Sequence, residues 1–133
     1  MRCTTTSPLS WWTRAKRTVI ATNEYNASFG RAASEREALL AKVLRSIGTG
    51  VHFEPTFRCE FGYNIAIGSN FYANFDCILL DGAEITIGDS VLFGPRVSIY
   101  TSNHALDPEE RVAGACYAKP AGASATTSGW VAA

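Results

Sequence analysis

Residues 47–99 read IGTGVHFEPTFRCEFGYNIA (47–66), IGSNFYANFDCILLDGAEIT (67–86) and IGDSVLFGPRVSI (87–99). An Ile-Gly pair opens each line, at Ile47-Gly48, Ile67-Gly68 and Ile87-Gly88, always 20 residues apart. Within a line an apolar residue returns at every sixth position. The series runs Ile47, Phe53, Cys59, Ile65; it then steps by two to Ile67, Ala73, Leu79, Ile85, and again by two to Ile87, Phe93, Ile99. Six is neither the helical repeat nor simple strand alternation. It marks a hexapeptide parallel β-helix, in which each coil is a triangle and each short side plus its corner takes about six residues. One residue per side is expected to point inward, and a two-residue bulge at one corner brings the coil to the observed 20. Gly48, Gly68, Gly88, Gly94, Asn64, Asn70 and Asn74 are the expected corner residues, because glycine and asparagine accept bends that bulky side chains resist.

A stack of such coils cannot bury its own ends and needs a cap. On the N-terminal side, Ser34 with Glu37 three residues later fits a capping box. Leu39, Leu40, Val43, Leu44 and Ile47 then recur at helical spacing, and Gly48 stands where a left-handed C-cap belongs. These signals predict a helix over 34–47 that covers the first coil. Residues 1 to about 30 show no clear period. Thr4 to Pro8 read as a polar lead-in, and Arg14, Lys16 and Arg17 as a solvated basic cluster.

Composition narrows the function classes. The chain has 133 residues, 47% apolar and 18% charged, with twelve basic against twelve acidic side chains. That length predicts one domain. Zero net charge gives no global pull toward nucleic acid or anionic lipid. There is no apolar run long enough to span a bilayer, and the first 30 residues lack an apolar signal core, so the expected location is cytoplasmic. Cys3, Cys59, Cys77 and Cys116 form no CxxC pair, and His52 and His104 are the only histidines. The expectation is free thiols and no metal.

His52 adjoins the inward Phe53, so it should point outward from the first coil in a packing or surface role. His104 lies in TSNHALDPEER (101–111), where the six-residue rhythm stops. A loop projecting from a rigid scaffold is a usual place for function, and histidine can serve as general base near neutral pH. No GxSxG nucleophile elbow and no GxxxxGK[ST] phosphate loop occur.

Several segments carry a more specific likeness: FRCEFGYNIAIG (57–68), NFYANFD (70–76), ITIGD (85–89), FGP (93–95), and the His104 loop with LDPEER (106–111). From about Tyr25 to Pro120 the chain resembles the maltose/galactoside O-acetyltransferase family, which includes nodulation acetyltransferases. The resemblance implies a left-handed parallel β-helix, mainly β, assembled as a homotrimer. It also implies transfer of an acetyl group from acetyl-CoA, as co-substrate, to a hydroxyl of a sugar acceptor of maltose, glucose or galactoside type. His104 takes the general-base role by this likeness. Asn74 matches the acceptor-site asparagine, and Tyr72 of the same motif could flank the sugar. Three positions depart from the pattern. Asn26 stands where an acid is usual near Tyr25, Glu60 where Asp or Ser is usual, and Ala105 where Pro commonly follows the histidine. Glu60 and Asn26 are thus acceptor-site positions with altered chemistry.

After Pro120 the family continues with further coils that bind CoA, whereas this chain reads AGASATTSGWVAA (121–133). If its codons mostly end in G, a shifted frame from Ala123 gives Val-Gly-Asp-Asp-Val-Trp-Val-Gly-Gly, which closely resembles the family's next coil, as a frameshifted reading would. The sequence therefore divides into an N-terminal extension and capping helix (1–47), a partial β-helix (48–120) with the histidine loop at 101–119, and an aberrant tail (121–133). C-terminal coils are expected to be missing, leaving an open strand edge, little CoA groove and little activity. The alternatives are a non-catalytic β-helical remnant or interaction module, and a hexapeptide acyltransferase with a different acceptor.

Overall fold

The computed structural model describes residues 8–114, 116–123 and 130–131. Cys3, the polar lead-in at 4–7 and most of the tail after Ala123 lie outside the described residues. Two helices come first, α1 (Pro8–Ala27) and α2 (Ala33–Val43). Three coils follow. The first holds β1 (Ser46–Ile47), β2 (His52–Phe53) and β3 (Phe57–Cys59); the second holds β4 (Ile65–Ile67), β5 (Tyr72–Ala73) and β6 (Cys77–Leu80). The third holds β7 (Ile85–Ile87), β8 (Leu92–Phe93) and β9 (Ser98–Tyr100). An excursion then runs through β10 (Ser102–His104), α3 (Pro108–Val112) and β11 (Cys116–Ala118), and the chain returns as β12 (Ala121–Ala123) and β13 (Trp130–Val131).

The strands stack into three parallel sheets, ordered β1-β4-β7-β12, β2-β5-β8-β13 and β3-β6-β9. The register reproduces the sequence repeat: Ile47 pairs with Ile67 and Ile67 with Ile87, Phe53 with Ala73 and Ala73 with Phe93, Cys59 with Leu79 and Leu79 with Ile99. The stack continues past Pro120, where the rhythm in the sequence gives out, because Ala121 pairs with Ile85 and Trp130 with Leu92.

Each side of the triangle contributes two inward residues, not one. Val51 accompanies Phe53, Phe57 accompanies Cys59, and Ile65 accompanies Ile67; Phe71, Cys77, Val91 and Val97 extend the second series. The reason is the strand period of two, which returns residues i and i+2 to the same face. Ile47 and Ile99, at the two ends of the first series, are only partly buried. Full burial of one such side chain contributes about 1.5–3 kcal/mol relative to exposure. Cys59 and Cys77 are buried free thiols within this core.

The corners differ from expectation in a physical way. The left-handed backbone falls on Gly50, Asn70 and Ser90, one above another, and on Asp76 and Arg96 at the next corner. Of the predicted bend residues only Asn70 belongs to that set. Gly48 and Gly68 are glycine for another reason: a Cβ at Gly48 would collide with Ser69 and Gly68 of the next coil, and one at Gly68 with Asp89 and Gly88. Coil spacing, rather than φ, excludes side chains there.

The N-terminal cap also differs. The segment without a period forms α1, whose inner face is polar but fully engaged. Thr18 donates to the Phe61 carbonyl (3.0 Å), and Tyr25 is fully buried. Such a helix is invisible to apolar periodicity. α2 starts at Ala33, with Ala32 as its N-cap and no side-chain cap bond, and it ends at Val43. Ser34 and Glu37 therefore form no capping box. The Glu37 carboxylate instead accepts from the Gly50 and Val51 N–H groups of the first coil (2.7 and 3.3 Å). Ile47, predicted to be helical, begins the sheet as part of β1, and Gly48 is no C-cap. No described helix is long and apolar enough to cross a membrane.

Candidate active site

The sequence candidates fall on two different corners. Tyr72 lies in β5 and Asn74 at the corner following it. Asn74 is half-buried, its Oδ1 accepts from the Phe75 N–H (2.8 Å), and its Nδ2 has no protein partner among the described residues. The Tyr72 ring stacks on His52, with centroids 5.7 Å apart and planes 2° from parallel. Burial, then the nearby Glu54 carboxylate, raises the Tyr72 phenol above its ordinary value.

His52 is more constrained than a surface residue. Its Nδ1 lies 2.9 Å from Nη1 of Arg36, and its Nε2 lies 3.2 Å from Oε1 of Glu54. A guanidinium only donates. Nδ1 must therefore accept, which places the proton on Nε2 and directs it to Glu54. Arg36 is itself 4% exposed; it also donates to the Phe53 carbonyl (2.9 Å) and to Ser28 (3.3 Å), and lies over the Tyr25 ring at 4.5 Å. The cap thereby fixes the ring against which Tyr72 rests.

Glu60 and His104 sit at the corner following the β3-β6-β9 face. His104 ends β10, which pairs antiparallel with β11 so that His104 faces Cys116 in register. The imidazole is exposed, and the His104 backbone N–H donates to Asn103 Oδ1 (2.9 Å). Beyond it, Asp107 caps α3 by accepting from the Glu109 and Glu110 N–H groups (2.9 and 3.0 Å). Arg111 donates back to the Ala105 and Leu106 carbonyls (3.0 and 2.8 Å). Ala105 is 2% exposed, so this position anchors the excursion without a proline.

Below the excursion lies a buried carboxylate that sequence reasoning passed over. Asp81 is fully buried; Oδ1 accepts from the Glu60 and Phe61 N–H groups (3.1 and 2.8 Å) and Oδ2 from the Asn64 N–H (3.2 Å). The adjacent Asp81-Gly82 pair is a turn signal that could have flagged it. Thr101 ties the next layer, donating to the Leu80 carbonyl and accepting from the Ala83 N–H (both 2.8 Å). Glu60 is half-buried, and burial followed by the Asp81 charge raises its carboxyl above the usual range. Asn26 is spoken for: it donates to the Phe57 carbonyl (3.0 Å) and accepts from the Phe57 N–H (2.9 Å).

No protein-family model matches the chain. Nodulation protein L of Rhizobium meliloti (strain 1021) is 43% identical over 96 residues, which is 72% of this chain and 52% of that protein. A maltose O-acetyltransferase from Clostridium difficile 630 shares the structure with a TM-score of 0.79 and 36% identity, over 84% of this chain and 59% of that one. The chain belongs to the hexapeptide-repeat acetyltransferase family. A galactoside acetyltransferase solved in complex with coenzyme A is similar too, at a TM-score of 0.79 and 32% identity, covering 87% of this chain and 58% of that one. The chain spans about half the length of the curated relatives it matches.

As a family member, this chain separates its candidates across the β3-β6-β9 face. Tyr72 and Asn74 precede that face, Glu60 and His104 follow it, and Asn26 holds its first residue, Phe57. The four residues of β6, Cys77–Leu80, alone extend roughly 13 Å at about 3.3 Å each. No group of three or more metal-ligating side chains occurs among the described residues.

Proposed function

We propose that the chain acts in acetyl transfer from acetyl-CoA to a hydroxyl of a maltose-, glucose- or galactoside-type sugar, with His104 as general base. The observation that carries this reading is an exposed histidine on a braced excursion, at the edge of a coil shared with acetyltransferases. A sugar hydroxyl is a weak nucleophile at neutral pH. Imidazole within hydrogen-bond reach takes its proton as the oxygen attacks the thioester carbonyl, and the thiol leaves with that proton. Asn74 offers its unengaged Nδ2 to the acceptor, Tyr72 flanks it, and Glu60 lines the base of the excursion. Asn26 contributes through Phe57, whose peptide it holds. Cytoplasmic location and left-handed winding of the coil belong to the same proposal.

The separation of the two corners favours a homotrimer in which one protomer's Asn74 corner meets its partner's His104 excursion. The test is thiol release from acetyl-CoA in the presence of maltose, glucose or a galactoside. His104→Ala should lower the rate roughly 10²–10⁴-fold while leaving stability within about 0.5 kcal/mol. Mixed trimers of His104→Ala and Asn74→Ala chains should recover part of the activity. No recovery in verified mixed trimers sinks the shared site, and an unchanged rate in His104→Ala sinks the general base.

A further inference from the structure

Surface helices ordinarily bury their apolar side and expose their polar one. α1 does the reverse. Its inner face carries Thr18, Thr22 and Tyr25, all buried. Its outer face carries Trp12, Val19 and Ile20, which are 67%, 48% and 59% exposed. Trp12, Thr13, Ala15, Lys16 and Val19 line a shallow apolar depression of about 420 Å³. On the flank of the same helix, Arg14, Arg17 and Lys42 line a groove of about 310 Å³ with Phe61 and Tyr63. None of Arg14, Lys16, Arg17 or Lys42 has a carboxylate partner among the described residues. The first acidic residue of the chain is Glu24, so the basic segment is locally unopposed although the whole chain is neutral.

We infer that α1 docks the protein onto an anionic lipid surface. Large apolar groups centred on an exposed tryptophan, flanked by arginine and lysine, are the features that seat a helix in the plane of a bilayer interface. Trp12, Val19 and Ile20 enter the headgroup boundary, and Lys16 extends its stem along that boundary with its ammonium in the phosphates. Arg14, Arg17 and Lys42 supply the attraction to negative headgroups. Charge complementarity selects this occupant over a second copy of the chain, because two α1 helices face to face would bring like charges together. The helix lies on the surface and does not span it. The inference is independent of acetyl transfer.

The experiment is co-sedimentation of the full chain with vesicles of phosphatidylcholine alone, and with about one-third phosphatidylglycerol, a composition that presents anionic headgroups to basic side chains. Binding should require the anionic lipid and weaken as salt rises. Arg14→Glu with Arg17→Glu should lower the partition about tenfold or more, and Trp12→Ser with Ile20→Ser should lower it comparably at unchanged circular dichroism. These side chains are exposed, so the variants test docking rather than folding. Equal binding to both vesicles, absence of binding, or variants that bind like the parent overturns the proposal. So does concentration-dependent self-association that Ile20→Glu abolishes, since a second copy then covers the stripe.

Discussion

At the capped end of the coil, charged and polar groups are sealed in. Arg36 is buried, and its hydrogen bonds tie α2 to Ser28, His52 and the Phe53 carbonyl. At the opposite corner the candidate base His104 stands in solvent, on an excursion held by Asp107 and Arg111. The difference teaches where each kind of residue is felt. A group inside the cap or coil answers for stability, because its partners cannot turn to water. An exposed group on the excursion is free to serve chemistry, since losing it leaves nothing buried unpaired.

The sharpest way to break this comparison is thiol labelling near pH 8 in a Cys3→Ser background. Cys116 belongs to the excursion and is half-exposed, whereas Cys59 and Cys77 line the core. Burial pushes the Cys77 thiol up to about 12 and raises Cys59 further. Only the thiolate reacts. Cys116 should therefore label at least about a thousandfold faster than either core thiol in native protein, and all three should equalise in denaturant. The raised thiol also fixes a pH dependence. The fold prefers the neutral form, so its contribution is intact below the ordinary thiol range and is lost as pH rises from about 9 toward about 12. Fast native labelling of Cys77 would mean the coil is open.

Next in size is Phe53→Ala. Phe53 is fully buried between Phe57 and Phe71, at ring distances of 4.0 and 5.0 Å. Chemical denaturation should show a loss of about 3–5 kcal/mol, the usual cost of emptying an aromatic core site. Arg36→Met should follow at about 1–3 kcal/mol, because it leaves His52 Nδ1 without its donor and the Phe53 carbonyl with only the longer Tyr25 hydroxyl bond (3.3 Å). The cap reading fails if Arg36→Met unfolds at the parent's denaturant midpoint.

The same division explains what could be read in the sequence. The period of six located one inward residue on each side of every coil, partly buried at the end positions Ile47 and Ile99, because burial in a narrow triangle demands an apolar side chain at each turn. The second inward series, Val51 and Phe57 among them, follows from the strand period of two laid over the period of six. α1 gave no signal because it packs through Thr18, Tyr25 and Asn26, which bond to backbone instead of filling an apolar stripe. Ser34 and Glu37 looked like a local cap, yet Glu37 serves the first coil thirteen residues away. Tertiary hydrogen bonds outcompeted the local motif. His104 was legible as a break in rhythm, and Asp81-Gly82 as a turn, but the bracing by Arg111 and the three backbone N–H groups gathered by Asp81 depend on contacts that no spacing announces.

The smallest effect lies at Glu60, on the boundary between the two regions. Its carboxyl is raised first by partial burial and then by Asp81. A raised carboxyl means that the folded chain favours the protonated form, so this contribution to stability is present below the ordinary carboxylate range and is lost as pH rises through the folded value. At neutral pH the ionised side chain therefore costs the fold something, and Glu60→Gln should remove that cost. The side chain is only half-buried, so solvent screening keeps the gain to a few tenths of a kcal/mol. Denaturation of Glu60→Gln at pH 7 and at pH 4 should show the gain at the first and its near disappearance at the second. A loss of stability at pH 7 would instead mean that the Glu60 carboxylate is a needed acceptor, and would move this residue from the excursion's chemistry into the scaffold beneath it.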